Sequence, residues 1–117
     1  MNSLWLNEKT KEEFLKLEED LETQVCIIGA GIFGISTAYY LTQKGYNVTI
    51  LERNKIANRV TGHTTAKITS QHGLIYHYLL NQYGKEFARK YYLAKQKSIQ
   101  EIEKIITQNQ IVCDFER

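Results

Sequence analysis

The run VCIIGAGIFGISTAYYLTQKGYNVTILER, residues 25 to 53, constrains the fold more than any other part of the chain. Val25 to Ile28 is short and continuously apolar, the form taken by a strand of a parallel sheet covered on both faces. It stops at Gly29, and Gly29, Gly31 and Gly34 then complete the pattern G-x-G-x-x-G. In such a pattern the first glycine permits a tight turn, the second admits a diphosphate close to the backbone, and the third lets helix and strand approach. Ile32, Ile35, Ala38 and Leu41, with Tyr39 beside them, recur at helical spacing, and Gly45 stands where a left-handed cap would end the helix. Val48 to Leu51 supplies a second strand. The expected unit is therefore strand, glycine turn, helix, strand, in an α/β arrangement with a parallel sheet.

That unit carries a candidate site. Backbone amides and the positive end of the helix dipole gather at the glycine turn, so Gly29, Ala30, Gly31, Ile32, Phe33 and Gly34 are candidate ligands for a phosphate without any basic side chain. Glu52 falls 23 residues after Gly29. A carboxylate at this offset, at the end of the second strand, accepts the ribose hydroxyls of an adenine dinucleotide, and its charge repels a 2′-phosphate. Arg53 either covers the adenine or pairs with a phosphate, or is simply solvated. Downstream, Gly62, His63, Thr64 and Thr65 occupy consecutive positions. Hydroxyls and amides in a strand-end crevice suit the phosphates or ring edge of a bound cofactor, although the same residues also make an ordinary polar loop. The glycine pattern itself also occurs in tightly packed turns that bind nothing.

Composition narrows the remaining classes. A chain of 117 residues with net charge +2 and 24% charged residues forms one domain at most and offers no basic surface for nucleic acid. Cys26 and Cys113 lack metal spacing and read as two reduced structural thiols. His63, His72 and His77 share no ligand spacing, so no metal site is expected, and His63 is singled out only by its place in the proposed cofactor loop. The N-terminus lacks the form of a secretory signal, and no apolar run reaches the about 20 residues of a membrane span, which predicts a cytoplasmic setting.

Residues 1–23 form an approach segment in which Trp5, with Leu4 and Leu6, anchors onto the body or stacks on a base. Glu12 to Glu22 is expected to be a short helix with Phe14, Leu15, Leu17 and Leu21 as its apolar residues. Residues 24–73 make up the strand–helix–strand unit and cofactor loop. From Leu74 a helix is expected through about Tyr83, a break at Gly84, and a long helix from Lys85 to about Gln108. Phe87, Tyr91, Ala94, Ser98, Ile102 and Ile105 form its apolar stripe, while Lys90, Lys97, Glu101 and Lys104 lie on wetter faces. Ile111 to Phe115 is expected to open a further strand.

Four stretches together resemble a known family: SLWL at 3–6, the glycine motif, TGHTTAK at 61–67 and SQHGLIYHYL at 70–79. They look like the N-terminal part of a D-amino-acid-oxidase-like FAD-dependent oxidoreductase, the superfamily of glycine oxidase and sarcosine oxidase. The likeness is greatest to a bacterial branch that carries a C-terminal Rieske iron–sulfur domain. The resemblance implies a Rossmann-like FAD-binding βαβ unit at 24–73, and at 74–117 the helical start of a truncated substrate domain. Gly29 to Gly34 would hold the FAD pyrophosphate, Glu52 the adenosine ribose, and Gly62 through Ala66 would approach the flavin. Where relatives commonly carry glycines ahead of TGHTTAK, this chain has Ala57 and Arg59, which implies a stiffer loop and weaker closure on the cofactor. Family members run to several hundred residues, so the rest of the sheet, the substrate domain and any 2Fe-2S ligands would lie outside this chain. An incomplete sheet then implies a fragment, or self-association to cover it. The function expected is the FAD-binding portion of an amine- or amino-acid-oxidase-like enzyme, with no catalytic residue assigned. Two alternatives stay open: a non-catalytic remnant that oligomerises as a structural module, and an NAD-binding regulatory module.

Overall fold

The computed structural model describes residues 14–116. Along the chain run strand β1 (Val25–Ile28), helix α1 (Ile32–Thr42), strand β2 (Val48–Leu51), a 3-10 turn (Thr61–His63) and helix α2 (Ile75–Gln108). These elements fall into two compact units that divide between Thr65 and Ala66.

In the first unit β1 and β2 pair in parallel, with Val25 opposite Val48, Cys26 opposite Thr49, Ile27 opposite Ile50 and Ile28 opposite Leu51. Gly29 extends the ladder by donating its amide to the Leu51 carbonyl at 2.7 Å. α1 lies against both strands and buries its small residues, Gly34 and Ala38. A Cβ added at Gly34 would collide with the Gly29 carbonyl oxygen, so only glycine lets the helix come this close. The helix ends as its sequence requires. Tyr46 donates to the Leu41 carbonyl and Gly45 to that of Thr42, with Gly45 at φ +84°, a Schellman end built on a left-handed glycine.

Burial of β1 departs from expectation. Val25 and Ile27 are half-buried under α1, whereas Cys26 is exposed and Ile28 is 89% exposed, because among the described residues only one layer covers this sheet. Cys113 is exposed as well, so neither thiol is a buried structural one. The stripe expected on α1 is also only partly buried: Ile32 is 66% exposed and Ile35 is exposed. Apolar residues surround this helix, so one sheet cannot cover them all.

Two expected elements do not form. Phe14 to Glu22 adopts no helix, and Phe14, Leu15, Leu17 and Leu21 are exposed. A short helix without a packed face is marginal in water, and these apolar side chains are left exposed. Residues 12 and 13, like Trp5 and the SLWL run, lie outside the described residues. Ile111 to Phe115 is irregular rather than a strand; among the described residues its own unit holds no strand with which it could pair.

The second unit is built on α2, whose two limbs meet at Gly84 (φ +79°, ψ 173°), where the break was expected. Tyr76 on the first limb sets its ring edge-on to Tyr91 and Tyr92 on the second, with centroids 6.1 Å apart in each case. Leu79 and Ala88 are buried. Ser70 ties the loop ahead of the first limb to both limbs: its carbonyl accepts the Tyr76 hydroxyl at 2.6 Å and its hydroxyl accepts the Gln96 amide at 2.9 Å. The protected face of the second limb runs through Ala88, Tyr91, Ile99, Ile102, Ile105 and Ile106, so Tyr91, Ile102 and Ile105 of the expected stripe are sheltered. Phe87, Ala94 and Ser98 of the expected stripe are exposed, and Ala88, Ile99 and Ile106, each one position from an expected residue, are sheltered in addition, which shifts the stripe in part.

Candidate functional site

The first unit gathers its polar chemistry where β1 and β2 end. Gly29, at φ +103°, turns the chain out of β1 in a conformation that side-chain-bearing residues avoid. The backbone then passes Ala30, which is buried, and enters α1 with Gly31 as the N-cap residue. Gly31 has no side chain to cap the first turn, so other residues take that role. Thr61, 29 positions later in sequence, accepts the Ile32 amide on its hydroxyl at 3.0 Å. Among the described residues, no protein acceptor is bonded to the amides of Gly31 and Phe33.

Glu52 closes the other side. Its Oε2 accepts the Ala30 amide at 2.8 Å, and its Oε1 accepts the Asn54 amide at 2.9 Å. These backbone bonds, Ala30 first and Asn54 next, hold the carboxyl below its ordinary pKa of 4.5, with smaller help from the Arg53 amide and the Arg59 charge. The carboxylate thus braces the end of β2 against the glycine turn, and the same bonds favour its ionised form. Ala57 adds a second brace by donating its amide to the Ala30 carbonyl at 3.0 Å. It does so at φ +56°, a left-handed conformation that costs a non-glycine residue about 1–2 kcal/mol. This is one of the two positions at which the resemblance calls for glycine.

Between these groups lies a cleft of about 200 Å³, walled by Ala30, Gly31, Glu52, Lys55, Arg59 and Thr61 among others. It is smaller than the roughly 300–1,000 Å³ of a typical small-molecule pocket, so alone it accommodates only part of a dinucleotide. The donor set matches what such a part presents. Open amides at a helix start suit a phosphate, and an ionised carboxylate with lone pairs to spare suits a sugar diol. The glycines fit too, since a Cβ at Gly31 would stand 3.3 Å from the Thr61 hydroxyl and narrow the way to the backbone.

The structure brings Gly29, Ala30, Gly31, Ile32, Phe33, Gly34 and Glu52 together in this first unit. The other residues singled out in sequence stand differently. The Arg53 side chain is exposed and does not line the cleft; the cations that do are Lys55 and Arg59. Gly62 is buried in the 3-10 turn. His63 is exposed and its Nδ1 lies 2.7 Å from the Arg59 carbonyl oxygen, so its ring fastens the turn locally. Thr64 and Thr65 are exposed and outside the cleft wall, and Ala66, at φ +54°, begins the second unit. Sequence reasoning missed Thr61, Lys55 and Arg59 as wall residues. Thr61 opens the TGHTTAK run, and its partner could not be read from a separation of 29 residues. Among the described residues, no three His, Cys, Asp or Glu side chains converge as a metal site, and no helix is long and apolar enough to cross a membrane.

Comparison with known proteins gives the family of the chain. Residues 24–117 match the family model DAO, FAD dependent oxidoreductase. The chain is 43% identical over 111 residues to YhfW of Bacillus subtilis (strain 168), named as a Rieske 2Fe-2S iron–sulfur protein; the match covers 95% of this chain and 22% of that one. It is 26% identical over 102 residues to the gamma-glutamylputrescine oxidoreductase of Escherichia coli (strain K12), covering 87% of this chain and 24% of the relative. It is 28% identical over 105 residues to the oxidoreductase OrdL of Haemophilus influenzae, covering 90% and 24%. The chain therefore spans about a quarter of the length of these relatives. No solved structure matches it. With the family model covering everything from the start of β1 onward, this chain belongs to the DAO family of FAD dependent oxidoreductases.

Proposed function

We propose that this chain is the FAD-binding portion of a flavin-dependent oxidoreductase acting on an amine or amino acid, with residues 24–73 as the cofactor unit and 74–117 as the start of a substrate domain. The observation that carries this reading is the meeting of Gly31, at the start of α1, and Glu52, at the end of β2, in one cleft. The Gly31 and Phe33 amides would hold the diphosphate, aided by the dipole of α1. Glu52, already ionised and fixed by the Ala30 and Asn54 amides, would orient the adenosine by accepting its ribose hydroxyls. Lys55 and Arg59 add positive charge around the same ligand. Gly62, His63, Thr64, Thr65 and Ala66 are assigned to the flavin side, and Arg53 to the adenine, on the family resemblance alone. FAD, when bound, supplies the hydride acceptor, while this chain supplies attachment and orientation. The amine class is supported by one relative whose name carries it, the gamma-glutamylputrescine oxidoreductase. A 2Fe-2S centre belongs to this proposal only as a feature of a longer relative such as YhfW. A cytoplasmic setting goes with the two free, exposed thiols.

One observation favours a second element of this reading. Ile28 and Phe33, 89% and 85% exposed, present apolar surface that further protein would cover, either the rest of a longer polypeptide or another copy. Titration with FAD, followed by quenching of flavin fluorescence, tests the main proposal. Saturable binding of FAD with none of NADH is expected; a folded protein that binds neither, or only NADH, overturns it.

A further inference from the structure

Resting on the FAD reading above, we propose that Thr61 is a positioning residue of the diphosphate site, acting through the Ile32 amide. The N-cap residue Gly31 offers no capping side chain, and the Ile32 amide is instead bonded to the Thr61 hydroxyl at 3.0 Å. A hydroxyl has one proton to give and two lone pairs to accept with. Ile32 uses a lone pair, and no acceptor among the described residues takes the proton. Thr61 also stands in the cleft wall with Ala30, Gly31 and Glu52, and its oxygen lies 3.3 Å from where a Cβ on Gly31 would be. The hydroxyl is therefore beside the place where the second glycine of the motif leaves room. Its bond to Ile32, with that from Ala57 to the Ala30 carbonyl, fastens the loop 57–63 over the start of α1.

Two consequences follow from that placement. With Ile32 already satisfied, a diphosphate meets a helix start whose remaining donors are the Gly31 and Phe33 amides, so one phosphate position is selected over its neighbours. The Thr61 proton, which no described residue takes, would be available to the same ligand from the loop side. Valine at 61 keeps the shape and removes both roles, whereas serine keeps the hydroxyl.

The test compares the wild-type chain with Thr61→Val and Thr61→Ser by FAD titration and by amide hydrogen exchange without FAD. The valine variant is expected to bind FAD about tenfold more weakly, the size of a lost capping bond, and to release protection at Ile32 by a similar factor. Serine is expected to restore both within about threefold. Equal FAD affinity in the valine variant, unchanged Ile32 exchange, or failure of serine to restore affinity each overturns the proposal. In the wild-type chain, Ile32 must exchange more slowly than Gly31 and Phe33; equal rates overturn it even if the valine variant does not fold. A wild-type chain that protects Ile32 yet does not bind FAD removes the FAD reading and this role together. A wild-type chain that binds FAD, with a valine variant that binds it equally well, removes only the role of Thr61.

Discussion

Glu52 is two things at once, a candidate ligand and a brace. Both of its oxygens accept backbone amides, and the Ala30 bond ties β2 to the turn that follows β1. Because its folded pKa lies below 4.5, its contribution to stability is complete above that value and declines as pH falls through the lower folded value. Glu52→Gln keeps the size but replaces one acceptor by a donor that faces an amide. The variant is expected to melt below the wild type at pH 7, with the gap closing as pH falls below about 4.5; a gap independent of pH would contradict this. Ala57 offers the opposite case, a residue whose side chain opposes its backbone. At φ +56° it should prefer glycine, and Ala57→Gly is expected to raise stability by up to about 1 kcal/mol, read from the urea midpoint. A lower midpoint would mean that the strain is absent. Glu52 was legible from its spacing to Gly29, whereas Ala57 was marked only by the family resemblance. The sequence could not signal that Thr61 and Arg59 reach the cleft, because that depends on a loop path set by single contacts such as Ala57 to Ala30.

At the scale of elements, the parts that could be read from the chain were those with local causes. β1, α1 and β2 lie where the apolar runs and glycines placed them, and Gly45 and Gly84 act as their backbone freedom suggests. The parts that failed needed partners. The segment at 14–22 leaves its apolar residues exposed, and that at 111–115 has no strand in its own unit among the described residues, so neither forms its expected element. The partly shifted stripe of α2 has the same origin. The hairpin of its limbs, fixed by Tyr76 against Tyr91 and Tyr92, decides which residues are sheltered. Gly84 is the pivot of that hairpin, in a region of backbone space open almost only to glycine. Gly84→Ala is expected to lose about 1–3 kcal/mol in denaturant unfolding or to straighten α2 into one helix. An unchanged midpoint with unchanged helicity would contradict the assignment.

At the scale of the molecule, the described residues expose more apolar surface than the few buried ones can account for. Among the described residues the buried hydrophobic ones are Ala30, Ala38, Leu79 and Ala88, while one face of β1 and much of α1 are bare. Relatives about four times as long have the material to cover such faces, and this chain alone would meet them with copies of itself. Sedimentation velocity is expected to show a mass that rises with concentration, reduced by Ile28→Thr on the bare face; a monomer at every concentration would contradict it. The central claim is narrower, that the start of α1 and the end of β2 grip one dinucleotide. The most direct measurement is the amide spectrum of the isotopically labelled chain titrated with FAD. Shifts concentrated at Gly31, Phe33 and the residues around Glu52 are expected; no shifts in a folded chain, or shifts confined to α2, would contradict the account.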